Sequence, residues 1–198
     1  MQNVMQSAAQ PLNMSRGLVF ILAMTCGICA GSNYYNQPLI YSIAHALGVS
    51  PDQAALVIVI GQLSYAVGLF LLVPLGDFFE KRRYIVLLML CTGFSQIGIS
   101  FSPNLSALYV LTFMSTFFSV STQVLVPFAA GLVSTQQSPR IVGTLMSGLF
   151  MGILLARSVA GLISTLWSWH AVYLLSGGLI LIFAIVVWFR LPEAHRSA

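Results

Sequence analysis

The chain has 198 residues, of which 58% are hydrophobic and 6% charged, with a formal net charge of +4. A soluble domain carries about 45–50% apolar and roughly 25% charged residues, so this chain has too little polar surface for a soluble fold. All of its basic residues but Arg157 fall at the ends of apolar runs, which is the pattern of membrane topology and not of a nucleic-acid surface.

The opening stretch "MQNVMQSAAQPLNMSRG" has no charge before Arg16. The apolar run after it is about 20 residues, against 7–15 for a signal peptide. Residues 1–17 are therefore expected to form a short cytoplasmic tail. The first apolar segment runs from Leu18 to Leu39 and contains "CGIC". Cys26 and Cys29 share one helix face at this spacing, with no His or acid beside them, and read as small packing residues. The segment ends in "SNYYNQP". Asn33, Asn36 and Gln37 share a face there, with Tyr34 and Tyr35 adding hydroxyls. The patch is either solute-facing near the outer mouth or an interfacial anchor. Pro38 is expected to end or kink the helix.

"YSIAHALGVSPDQ" is expected to join this segment to the second, Ala54 to Leu75, which carries Gln62 and Tyr65 one turn apart. Next comes "GDFFEKRRY", with Asp77, Glu80, Lys81, Arg82 and Arg83. The third segment runs from Tyr84 to Phe101. The fourth, Leu105 to Val133, holds Thr112, Ser115, Thr116, Ser119, Ser121, Thr122 and Gln123. Hydroxyls bond their own helix carbonyls, which accounts for most of these. Gln123 has two readings, interhelical hydrogen bonding and pathway lining. The fifth segment, Ile141 to Leu166, contains Arg157, and the sixth runs from Ala171 to Phe189. An Arg at membrane depth costs at least about 2.5–3.5 kcal/mol. Arg157 is either a cation facing a water-filled pathway or a snorkelled structural residue.

These runs are near the ~20 residues that span about 30 Å of hydrocarbon. They do not alternate, so they are helices and not barrel strands. With the N-terminus inside, Arg16, Lys81, Arg82, Arg83, Arg140, Arg190 and Arg196 all fall inside and the outer loops hold none. Both termini are then cytoplasmic, and residues 191–198 form a second cytoplasmic tail. Trp167 and Trp169 are expected at the outer interface. Small residues recur four apart as Ala23, Gly27 and Gly31, and as Gly148, Gly152, Ala156 and Ala160, a ridge pattern suited to close helix packing in lipid. "NQPLI" and "TQVLVP" hint at a three-plus-three repeat. His45, His170 and His195 lie at segment ends, away from acids and cysteines at ligand spacing. No metal, nucleotide or other cofactor is indicated.

"VPLGDFFEKRRYIVLL" resembles the loop signature of the major facilitator superfamily (MFS), approximately G-x-L-a-D-R-x-G-R-R. Its acid aligns with Asp77, its Leu with Leu75 and its basic pair with Lys81 and Arg82. Val73, Phe78 and Glu80 stand where the signature has Gly, Arg and Gly. "NQPL", "LVPFAAG", "GILLARSVAG" and "WSWHAVYLLSG" add to the likeness, in span order over roughly 15–190. The resemblance implies an all-α membrane fold over residues 18–190, the N-terminal six-helix half of a transporter with a 3+3 inverted repeat. It implies alternating-access transport of a small solute, not enzymatic catalysis. Asp77, Glu80, Lys81, Arg82 and Arg83 would form the cytoplasmic gating loop. Asn33, Asn36, Gln37, Gln62, Tyr65, Gln123 and Arg157 are the expected solute path. The partners are the lipid bilayer and a second six-helix half or second copy. Asp77 would face that partner; alone it would only pair locally, for example with Arg82 or Arg83. The expected location is the cell membrane, the inner membrane in a bacterium. A transport-inactive remnant and a six-span intramembrane enzyme are the alternatives.

Overall fold

The structure is a computed structural model and describes residues 14–192. Arg196, His195 and most of both expected tails lie outside the described residues. The described residues form eight α-helices and one 3-10 turn: α1 (Arg16–Gly31), the turn Ser32–Tyr34, α2 (Asn36–Leu47), α3 (Pro51–Leu75), α4 (Lys81–Ser100), α5 (Leu105–Phe118), α6 (Ser121–Gly131), α7 (Ser138–Leu166) and α8 (Trp169–Arg190). Six stretches are long and apolar enough to cross a membrane: Arg16–Tyr34, Pro51–Leu75, Lys81–Ser100, Leu105–Gly131, Ser138–Leu166 and Trp169–Arg190. They are called spans one to six.

Local chemistry sets most of the helix starts. Ser15, Ser50, Glu80, Asn104 and Ser168 each accept a backbone N–H from the first turn that follows, satisfying donors with no partner inside the helix. Ser50 and Gln53 form a reciprocal capping box, with Pro51 just inside the helix. Gly48 closes α2 with φ 63°, a left-handed conformation that favours glycine.

Two boundaries differ from the sequence expectation. Pro38 does not end the first segment. It is the third residue of α2, where the missing N–H would have had no helical partner in any case. The chain stays helical to Leu47, so the expected loop shrinks to the turn around Gly48. The fourth segment is not one helix either: it breaks at Ser119–Val120 between α5 and α6. The two tryptophans expected at the outer interface differ in burial, and Trp169 is the enclosed one. It is 3% exposed and packs edge-on to Tyr173, while Trp167 remains exposed.

Span one packs along span five, span two along span four, and span three along span six. Exchanging the first three spans for the last three maps this pairing onto itself, as a three-plus-three inverted repeat requires. The helix breaks obey the same exchange, one in span one and one in span four. The predicted small-residue ridges meet each other. A Cβ on Gly27 would lie 2.6 Å from the Gly148 carbonyl oxygen, and one on Gly152 would collide with the Gly27 backbone. Span three meets span six similarly, where a Cβ on Gly93 would lie 2.7 Å from the Leu181 side chain.

The core is divided. One apolar cluster, with Leu22, Leu88, Met89, Leu125, Leu145 and Ile180, fills the half nearer the charged loop. A second, with Leu39, Ile43, Leu108, Val172 and Tyr173, fills the far half. Ser32, Asn36, Ser64, Gln96, Thr112, Ser115, Thr116 and Ser119 are buried between them. A polar belt therefore crosses the bundle at mid-height.

Candidate solute site

The polar belt opens into a cavity of about 130 Å³. The end of span one supplies Asn33 and Tyr34, and the start of α2 supplies Asn36 and Gln37. Span two supplies Ile58, Gly61, Gln62 and Tyr65. Span four supplies Thr116, Ser119, Thr122 and Gln123, and span five supplies Leu149 and Ile153. Three walls are polar and the fourth is apolar. Both helix breaks border the cavity, where polar side chains compete with the regular backbone ladder.

Of the expected solute-path residues, Asn33, Asn36, Gln37, Gln62, Tyr65 and Gln123 line this one cavity. Arg157 does not line it directly. Its guanidinium carbon lies 5.7 Å from the ring centroid of Tyr34, which does.

The cavity walls are held by hydrogen bonds between spans. Buried Tyr173 on span six donates its hydroxyl to Asn36 Oδ1. The Ser64 and Thr116 hydroxyls pair across spans two and four, and Thr116 also donates to the Thr112 carbonyl at 2.8 Å. Gln123 donates Nε2 to the Tyr65 hydroxyl at 3.2 Å. Gln96 was not among the expected residues. It is 1% exposed, donates to Ser115 Oγ at 3.0 Å, and ties span three to span four behind the cavity. Its lone amide in the middle of an apolar segment was the signal available in the sequence.

Gln123 faces two ways. It also lines a larger open concavity of about 980 Å³ beside the charged loop, bordered by Val73, Asp77, Phe78, Lys81, Pro127 and Leu132. The Gln123–Tyr65 pair thus stands between the mid-height cavity and the charged end.

The charged loop is compact. Span two ends at Leu75, where the Gly76 N–H bonds the Leu72 carbonyl. Tyr84 folds back, donating its hydroxyl to the same carbonyl at 2.7 Å, and stacks on Phe79 at 5.7 Å. A Cβ at Gly76 would come within 3.0 Å of the Tyr84 ring, so glycine lets that ring close. Glu80 has a local role: its carboxylate accepts from the Arg82 N–H at 3.0 Å and the Arg83 N–H at 2.8 Å, capping the positive end of α4. Asp77, in the turn between α3 and α4, pairs locally with Lys81 at 2.5 Å, the first residue of α4. Arg82 instead lies over Trp188, 4.6 Å from the ring centroid, and donates to the Leu191 carbonyl at 3.3 Å. Asp77 keeps 76% of its side chain exposed, so its local pair leaves it available to a partner.

Cys26 and Cys29 are buried and unbonded as thiols. Among the described residues, no cluster of three or more His, Cys, Asp or Glu side chains is placed to hold a metal.

Sequence comparison agrees with this architecture. The chain is 40% identical over 180 residues to the uncharacterized transporter YgaY of Escherichia coli, covering 91% of this chain and 46% of that protein. A Streptomyces coelicolor protein, named as a probable transporter, is 29% identical over 89% of this chain and 41% of its own length. The 4-hydroxybenzoate transporter PcaK of Pseudomonas aeruginosa is 29% identical over 62% of this chain and 28% of its length. The chain thus spans less than half the length of each of these relatives. Residues 21–198 match the Major Facilitator Superfamily, and the chain, a multi-pass membrane protein with six apolar spans, belongs to that family.

Proposed function

We propose that the chain is one six-helix half of a secondary transporter that moves a small solute across the cell membrane by alternating access, with the mid-height cavity as its solute site. The observation that carries this reading is the cavity itself. Amides and hydroxyls from three spans converge beside both helix breaks at the middle of an otherwise apolar bundle. Transporter sites have this form, because irregular backbone at membrane depth is tolerated where it lines a cavity. In this reading the Lys81–Arg83 loop is cytoplasmic, in keeping with the bias of basic residues, and the concavity past Gln123 is the cytoplasmic approach.

A second half would close the site. Spans two and five are the least enclosed, with 22% and 17% of their apolar windows buried, against 50% and 56% for spans one and four. These faces are where a second copy or a separate six-span chain would pack. Asp77, exposed at the end of span two, would then meet the positive end of a partner helix.

Cysteine crosslinking in membranes tests the assembly. In a chain whose three native Cys are replaced, Leu63→Cys on span two and Leu155→Cys on span five should both form adducts with the second half. Strictly monomeric protein at both positions would contradict the reading and favour an inactive remnant. Asp77→Asn should insert normally and abolish uptake by the assembled transporter; unaltered uptake would remove Asp77 from the gate.

A further inference from the structure

We propose that Arg157 makes the mid-height cavity selective for a small organic anion, a monocarboxylate with a compact apolar body. This rests on the reading of the cavity as the solute site and names its substrate class.

Three observations carry the proposal. The first is the register of span five. Leu149, Ile153 and Arg157 are spaced four apart, so they form one stripe on α7. Leu149 and Ile153 line the cavity. Arg157 stands one turn further along the same stripe, its guanidinium over the ring of Tyr34, another lining residue. A snorkelling Arg would run toward the helix end along lipid; this one lies against the ring of Tyr34, which lines the cavity.

The second is charge. Among the described residues the acids are Asp52, in the first turn of α3, and Asp77 and Glu80, in the charged loop. None lies on the cavity. Arg157 is exposed on the bundle surface beside Tyr34; a cation at membrane depth without an acid is expensive, and a solute anion would offset that cost. A guanidinium also presents a planar fork of N–H donors that matches a carboxylate.

The third is unmet hydrogen bonding. Thr122 lines the cavity and is 3% exposed, yet its hydroxyl, a donor that an anion could accept from, has no hydrogen-bond partner. Buried polar atoms normally find one. The space of about 130 Å³ far exceeds the ~10–15 Å³ that one water needs by the same measure. An anion seated at the Tyr34 end of the cavity would lie next to the Arg157 side chain and would meet the amide N–H groups of Asn33, Gln37 and Gln62. Ile58, Leu149 and Ile153 would pack on its hydrocarbon part.

Saturation binding to the full chain in phosphatidylcholine nanodiscs tests this, with radiolabelled benzoate and its neutral isostere benzamide as probes. Benzoate should bind about tenfold or more tightly than benzamide, since charge-assisted hydrogen bonds are roughly twice as strong as neutral ones. Arg157→Gln should bring benzoate down to the benzamide level and leave benzamide unchanged. Arg157→Lys should keep part of the preference, separating lost charge from lost fold. Equal binding of the two probes to the unmodified chain, or no binding of either at millimolar concentration, overturns the proposal. Addition of phosphatidylglycerol should not compete. Competition would assign Arg157 to an anionic lipid and also overturn it. Arg157-dependent benzoate binding in a chain that never crosslinks to a second half would keep the anion site and sink the transport reading. Crosslinked halves without anion preference would do the reverse.

Discussion

The seam between spans one and five and the seam between spans two and four are equivalent under the inverted repeat, yet they are built from different chemistry. In the first, backbone lies on backbone: Gly27, Gly31, Gly148 and Gly152 leave no room for a Cβ, and Ala23 and Ala156 complete the contact. In the second, Gly68 abuts the Phe117 carbonyl, but a Cβ at Gly61 would make only ordinary contacts, with the methyls of Thr116 and Thr112 at 3.5 and 3.7 Å and Asn36 Nδ2 at 3.9 Å. Hydroxyl and amide pairs, Ser64 with Thr116 and Tyr65 with Gln123, bridge that seam. The difference shows how one packing geometry serves two ends. The glycine seam is a fixed joint, and span five on its far side gives the cavity only Leu149 and Ile153. The polar seam keeps its contacts looser and gives the cavity most of its hydrogen-bonding wall.

The largest effect should come from breaking the glycine joint. Gly152→Leu drives a side chain into the Gly27 backbone, which cannot yield as a flexible side chain does, and overpacking already costs about 1–3 kcal/mol in more forgiving sites. Folded, monodisperse protein in detergent should be lost. Gly161→Leu, on the same helix with open space around it, should purify normally, and equal yields from the two would contradict the joint. An intermediate effect is expected at the polar belt. Tyr173→Phe strips the buried Asn36 amide of its donor and should lower thermal stability by about 1–3 kcal/mol. The smallest belongs to the polar seam. Ser64→Ala removes an interhelical bond worth about 0.6 kcal/mol in membranes, and Thr116 keeps its bond to the Thr112 carbonyl. Unfolding in detergent should barely move. A loss as large as that from Gly152→Leu would make the two seams alike.

How much of this was legible in the sequence follows from the kind of signal each feature leaves. The six spans were readable because bilayer thickness demands long apolar runs, and the ridges at Gly27 and Gly152 because small residues four apart have few other uses in lipid. The helix breaks were not. Pro38 suggested a stop, but a proline in a first turn starts a helix as readily as it ends one. Ser119–Val120 carries no proline or glycine at all. The convergence of Asn36, Gln62 and Gln123 on one cavity depends on how spans cross, which residue spacing within one span does not encode. Glu80 had looked like a second gate acid. Its position just before α4, accepting two N–H groups, makes it a helix cap, and a boundary placed at Tyr84 instead of Lys81 hid that role.

The central claim is that the polar mid-height cavity is a water-filled part of a transport path and not a sealed knot of structural hydrogen bonds. Labelling with a membrane-impermeant thiol reagent, in a chain whose native Cys26, Cys29 and Cys91 are replaced, tests it most directly. Gln62→Cys, on the cavity wall, should be labelled in membranes, while Phe94→Cys, on the exposed apolar face of span three, should stay unreacted in lipid. Gln62→Cys as unreactive as Phe94→Cys would contradict the account.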